Sequence, residues 1–190
     1  MSAARPSDPL APLLELPGVE AAARRARDAV VTLHHHPVNQ TGWAASAAEA
    51  ALRAARASAA LDGARLSADA STDDGVVTDP VLAGAVRVVE ATGRLLGIWR
   101  SAPLQALARL HLLAAADLTP DAVGRPAGGS ERLALLAELV AGGTRAPAPV
   151  LAAVVHGELL VLRPFPSANG VVARAAARLT AIAAGLDPHG

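Results

Sequence analysis

The stretch Val154–Leu179, VVHGELLVLRPFPSANGVVARAAARL, constrains the fold more than any other part of the chain. Apolar residues run on nearly every side of the segment before Arg163, and an alanine-rich helical pattern resumes after Asn169. Pro164 disfavours helical geometry at Arg163, so the first of these helices must stop there. The pattern predicts a helix, a sharp break at Arg163-Pro164-Phe165, a small polar loop and a second helix opening at Asn169-Gly170. Phe165 is the only phenylalanine and is expected to anchor the turn in the core. Asn169 offers an N-cap side chain, and Gly170 lets a ligand approach the backbone. The free N–H groups of the following turn form an anion site. Arg174 sits about one turn into that helix, where the helix dipole disfavours a cation by a few tenths of a kcal/mol. A phosphate or carboxylate would offset this. The plain alternative is a turn-capped helix whose Arg174 reaches solvent.

A chain of 190 residues suits one domain with a real core. Aromatic residues make up only 2%, and alanine, leucine and valine supply most of the apolar content, which predicts an all-α fold. Lysine and cysteine are absent, which excludes lysine Schiff-base chemistry, a P-loop lysine, thiolate nucleophiles and zinc–thiolate sites. Zero net charge implies no general attraction to nucleic acid or an anionic membrane surface. The N-terminus lacks the pattern of a signal peptide, and no long apolar run is free of charges and breakers, so a cytoplasmic protein is expected.

Breakers and caps divide the chain into about seven helices. Residues 1–18 are proline-rich and expected to be extended or partly ordered, and residues 19–190 to form a single helical domain. A first helix runs from Val19 to Leu33 and ends at His34-His35-His36-Pro37. Three adjacent histidines on a helix end point about 100° apart and do not converge on one ion, so no metal site is expected. Ser46-Ala47-Ala48-Glu49 fits a capping box and is expected to open a second helix that ends at Asp62-Gly63. Asp69, Asp73 and Asp74 fall in a loop without calcium-loop spacing. Asp79-Pro80 starts a third helix, running to Trp99, and Pro103 a fourth, to Ala116. His111 on the fourth is expected to be a satisfied buried or groove histidine. A proline- and glycine-rich connector fills 117–129. A fifth helix then ends at Gly142-Gly143. The sixth, apolar on nearly all sides, is expected in the middle of the bundle, and the seventh runs from Asn169 to Ala184.

Arg163-Pro164-Phe165-Pro166-Ser167-Ala168-Asn169-Gly170-Val171-Val172-Ala173-Arg174 resembles, in register and without gaps, the Fic (Fic/Doc, or Fido) family signature HPFx[DE]GNGRxxR. His156, seven positions upstream, stands where family members often carry a histidine. The resemblance spans residues 45–185, with the motif region at 156–178, and implies a Fic-type helical bundle. It also implies transfer of AMP from ATP to a protein hydroxyl, with the motif histidine as base and the motif acid holding Mg²⁺. The loop amides and two arginines would cradle the phosphates.

Pro164, Phe165, Asn169, Gly170 and Arg174 match the family pattern. The base position holds Arg163, which stays protonated at neutral pH. The acid position holds Ser167, a poor Mg²⁺ ligand. Ala168 replaces the first loop glycine and is strained if φ is positive there. Val171 replaces the first motif arginine. No catalytic residue and no metal ligand is therefore assigned. Ser167, Ala168, Asn169, Gly170 and Arg174 are expected to line a nucleotide or anion site.

Ser58-Ala59-Ala60-Leu61-Asp62-Gly63 is similar to the family's inhibitory helix pattern [ST]xxxE[GN], with Asp62 in place of glutamate. By that resemblance the helix over 46–63 is inhibitory, and Ser58, Asp62 and Gly63 form its motif. Asp62 at a helix C-terminus and Arg174 near a helix N-terminus are complementary dipole misfits, which favours their pairing. The expected function is a degenerate Fic-like protein that binds ATP, another nucleotide or a phosphate ligand, without Mg²⁺, in a regulatory role with a protein partner. The alternatives are an active, rewired adenylyltransferase and a structural module with no ligand. The connector at 117–129 would suit a small target-docking flap hairpin.

Overall fold

The computed structural model describes residues 8–65 and 79–187, so the aspartate-rich loop at 69–74 lies outside the described residues. The fold is all-α, with no strand among the described residues. The helices are α1 (Ala11–Leu14), α2 (Val19–His34), α3 (Pro37–Leu61), α4 (Pro80–Ser101), α5 (Pro103–Ala115), α6 (Ser130–Glu138), α7 (Ala148–Leu162) and α8 (Asn169–Ala183). A 3₁₀ turn covers Pro120–Ala122, and Leu139–Gly143 extends α6 as a π-helical segment. No helix among the described residues is long and apolar enough to cross a membrane.

Local chemistry explains most boundaries. Asp79 caps α4, its Oδ1 accepting from the N–H groups of Val81 and Leu82 at 3.0 Å each, while Pro80 sits at the first turn. Burial raises the Asp79 pKa, but hydrogen bonds from Leu82, Arg65 and Val81 outweigh it and hold the carboxyl below its ordinary value. The α4–α5 pair packs closely because position 84 is glycine. A Cβ there would lie 2.1 Å from the Ala114 carbonyl oxygen.

Three expectations, on the start of α3, the central helix and the connector, need correction. The N-terminal segment carries local order from residue 8 onward. Ala11–Leu14 forms a helical turn, Leu10 is buried, and Asp8 accepts from Thr144 Oγ1 and the Arg145 N–H, pinning the segment just ahead of α7. Hydrogen bonds from Arg145, Thr144 and Leu10 hold the Asp8 carboxyl below its usual range. Thr144 and Arg145 lie far from Asp8 in sequence, so no local pattern signals these bonds.

Helix α3 begins at Pro37 rather than near Ser46, with the His36 ring accepting from the Val38 N–H at 3.3 Å. Proline at the first turn and the alanine-rich run carry the helix through the Ser46–Glu49 pattern. The three histidine rings diverge. His34 bonds Asp187 at 3.1 Å, His35 bonds the Val31 carbonyl at 2.7 Å, and His36 caps α3.

The helix at the centre of the bundle is α8, not α7. It packs on α7, α4, α5 and α3, and it buries Val171, Val172, Ala173, Ala176, Leu179 and Ile182. By contrast, α7 buries only Val150, Leu151, Val155 and Leu159, and it leaves Val161 80% exposed. Small side chains let several helices approach α8 closely, which a surface of leucine and valine alone does not allow.

The connector over 117–129 forms no hairpin. It is a turn-rich wall, and its hydrogen bonds go to α4, to α5 and to the motif loop rather than to a paired strand.

Candidate functional site

The break after α7 is set by Arg163, whose backbone takes left-handed angles (φ 45°, ψ 58°) while its N–H donates to the Leu159 carbonyl at 3.1 Å. Pro164 and Phe165 then turn inward, and Phe165 is 4% exposed. Its ring stacks on His111, with centroids 4.2 Å apart and planes 8° from parallel. His111 is fully buried, and its Nδ1 accepts from the Gly124 N–H at 2.8 Å. That bond needs an unprotonated Nδ1. Burial lowers the His111 pKa, and the Ser167 backbone opposes it without reversing the direction.

The loop is stitched from within. Asn169 Oδ1 accepts from the Phe165 N–H at 3.0 Å, and its Nδ2 donates to the Phe165 carbonyl at 2.6 Å. Asn169 is therefore not the N-cap of α8 that its residue type and place in the sequence predict. It is the first residue of the helix, and its amide is spent on the turn. The cap position falls to Ala168, with φ 52° and no side-chain bond to the helix.

A non-glycine residue in this conformation costs about 1–2 kcal/mol, whereas glycine gives back only part of that through its freer unfolded chain. Ala168→Gly is thus expected to stabilise the protein by about 0.5–1 kcal/mol. The check is a urea midpoint that moves up with an unchanged slope.

The missing cap comes from a distant helix. Asp62 ends α3, followed by Gly63 at φ 92°. Its carboxylate reaches the start of α8, where Oδ2 accepts from the Val171 N–H at 3.0 Å and Oδ1 from Arg174 Nη2 at 2.6 Å. Arg174 also donates from Nε to Ser58 Oγ at 2.7 Å and from Nη2 to the Ser58 carbonyl at 2.8 Å. The pair is largely buried, with side-chain exposures of 25% for Arg174 and 16% for Asp62.

Each partner is misplaced on its own helix, an acid at a C-terminus and a base near an N-terminus. Where α3 ends against the beginning of α8, the two misfits cancel. Gly170 makes the approach possible, because a Cβ there would sit 2.1 Å from Asp62 Oδ1.

The connector closes the other side. Thr119 and Ser167 share a hydroxyl–hydroxyl hydrogen bond at 2.8 Å, and the Ala127 N–H donates to the Pro164 carbonyl at 2.7 Å. A cavity of about 630 Å³ remains, lined by Asp62, Gly170 and Arg174 at one end and by His156, Arg163 and Ser167 elsewhere. Leu61, Val81, Leu118 and Leu160 supply its apolar wall. His156 Nε2 is shielded from solvent and has no hydrogen-bond partner among the described residues.

The structure thus gathers Asp62, Ser167, Ala168, Gly170 and Arg174 on one cavity. Asn169 borders it too, with its amide engaged by Phe165. Ser58 stands off the cavity and steadies Arg174, while Gly63 terminates α3. Thr119 carries no local signal, because its role depends on a loop that folds back from α5. The Ser58 carbonyl is equally unmarked, since a backbone acceptor leaves no trace in residue type.

A guanidinium, a helix-start amide and an apolar wall can hold an anionic group attached to an apolar or flat body. They do not supply a proton acceptor at position 163, because a guanidinium stays charged. Comparison of the chain with protein families, with curated proteins and with solved structures found no match.

Proposed function

We propose that this chain is a phosphate- or nucleotide-binding regulatory protein of Fic-like type, without the usual catalyst, whose anion site is closed by its own Asp62. The observation that carries the reading is the carboxylate of Asp62 held by the Val171 N–H and Arg174 Nη2. Its two oxygens stand where two oxygens of a phosphate would receive the same donors. A site that recruits an anion from another helix is built to hold one.

Arg163 argues against proton abstraction at the base position, and the Ser167 hydroxyl is engaged by Thr119 rather than left to meet a metal. The regulatory step is the exchange of Asp62 for a ligand phosphate, with an unidentified protein partner as the reader of the change.

Thermal unfolding with ATP, with and without Mg²⁺, on the natural chain and on Asp62→Ala tests this. Ligand at about a hundred times Kd stabilises by about 2.7 kcal/mol, or about 5–10 °C for a domain of this size. Asp62→Ala is expected to show that shift and the natural chain a much smaller one, with no dependence on Mg²⁺. Incubation with α-labelled ATP is expected to label neither the protein nor lysate proteins. If ATP, ADP and pyrophosphate shift neither variant, the site binds no nucleotide and the structural-module alternative takes its place. Transfer of label would establish the rewired adenylyltransferase instead.

A further inference from the structure

Apolar burial holds the helices together, but the connector over 117–129 is held differently. None of its residues is buried. Beyond Thr119 it is tied down by two main-chain donors, the Ala127 N–H to the Pro164 carbonyl at 2.7 Å and the Gly124 N–H to His111 Nδ1 at 2.8 Å. A segment with exposed side chains and few bonds opens locally at low cost. One of its two acceptors is an imidazole, which loses its lone pair on taking a proton.

His111 is fully buried, with one face against the Phe165 ring. Because Nδ1 accepts from Gly124, a neutral ring carries its proton on Nε2, which has no hydrogen-bond partner among the described residues. A second proton would sit on Nδ1 and set donor against donor. Stacking on Phe165 offers an imidazolium some compensation, but burial is the larger effect, and the Ser167 backbone does not reverse it.

The charges on the surrounding elements give no help. Arg87 on α4 binds Asp117, Arg174 on α8 binds Asp62, and Arg132 on α6 binds Glu158. Glu90 and Arg94 on α4 are exposed, as are Glu131 and Glu138 on α6. Asp121 and Arg125 in the connector, Arg163 at the end of α7 and Arg109 on α5 itself also face solvent, and Arg178 on α8 is half-buried. None of these charges acts on His111, whose two influences are burial and the Ser167 backbone.

We infer that His111 is a proton-sensitive latch: protonation at Nδ1 breaks the Gly124 bond and lifts the connector from the motif loop while the helices stay packed. Leu118 of the connector and Ser167 beneath it line the anion cavity, so lifting opens that wall. The closed form favours the neutral ring. Closure is therefore fully stable above the ordinary imidazole value of 6.5 and weakens as the pH falls below it, toward the lowered value of the closed form.

The test is backbone amide exchange by NMR on the natural chain from about pH 8 to about pH 5, corrected for the intrinsic pH dependence of exchange. The His111 ring nitrogens are followed in parallel. Protection at Gly124 and Ala127 should fall by about tenfold per pH unit below 6.5, until the closed form itself takes up the proton. The fall should run in step with protonation of Nδ1, while Ala176 and Leu179 inside α8 keep their protection. His111→Asn sets a carboxamide oxygen near the place of Nδ1 without a titrating group. It is expected to lower Gly124 protection at high pH and to remove its pH dependence.

Constant Gly124 protection across this range overturns the inference, as does a fall shared equally by α8, which would be global unfolding. The same pH dependence in His111→Asn overturns it too. Should that variant not fold, the natural chain decides, since proton uptake by His111 without loss of Gly124 protection also sinks the latch. No ligand enters the experiment, so its outcome is separate from the nucleotide-dependent stabilisation of Asp62→Ala.

Discussion

Replacing Asn169 with alanine is expected to lower the unfolding free energy by about 2–4 kcal/mol. The residue is 9% exposed, and its side chain satisfies both polar groups of the Phe165 backbone, the N–H at 3.0 Å and the carbonyl at 2.6 Å. Alanine would leave a donor and an acceptor buried without partners, and each such group costs about 1–3 kcal/mol. The loss should spread. Phe165 is held by this bracket on one side and by the His111 stack on the other, so the loop and the connector loosen together. Urea unfolding should show a lower midpoint with an unchanged slope, and hydrogen exchange at the Phe165 and Gly124 amides should accelerate. A destabilisation below about 0.5 kcal/mol, the range of an ordinary surface change, would show that the turn does not depend on this side chain.

Gly170→Ala carries the second large effect, because it acts on stability and on binding at once. Near the start of a helix, glycine to alanine is usually neutral or favourable by up to about 1 kcal/mol. Here the new Cβ would lie 2.1 Å from Asp62 Oδ1 and 2.8 Å from Oδ2. The carboxylate must leave, giving up its bonds to the Val171 N–H and Arg174, so the sign reverses to a net loss of about 1–2 kcal/mol. The displaced carboxylate does not make room for a phosphate, since the methyl group now occupies the cradle. Asp62→Ala and Gly170→Ala both break the pair, yet only the first is expected to gain nucleotide binding. Thermal unfolding of the two variants with and without ATP separates them. Nucleotide stabilisation of Gly170→Ala equal to that of Asp62→Ala would place the anion away from the α8 amides.

The parts of the site legible in the sequence are those set by chain neighbours. Pro164 stops α7, Phe165 anchors the turn, and Asn169-Gly170 opens α8. The role of Asn169 is not legible in the same way. An asparagine at the head of a helix reads as a cap by type, but the break before it leaves Phe165 with two bare backbone groups within reach. The nearer demand takes the side chain. The start of α3 differs from expectation for a related reason, since Ser46–Glu49 has the form of a cap while His36, with Pro37 in the first turn, has the position of one.

What the amino-acid sequence determined by itself is the all-α class, the proline-set boundaries of α4, α5 and α7, and the presence of an anion-accepting turn at the head of α8. These rest on interactions within a turn or two of chain, where propensity, capping and the proline ring act directly. Only the tertiary structure decided that α8 is the central helix, that the connector lies against the motif loop, and which group fills the anion site. The partner of Arg174 stands 112 residues away. Their pairing exists because alanine-rich faces let α3 end against the start of α8, and because Gly170 leaves space for a carboxylate there. Residue types made Asp62 and Arg174 suitable for each other, and packing made them neighbours.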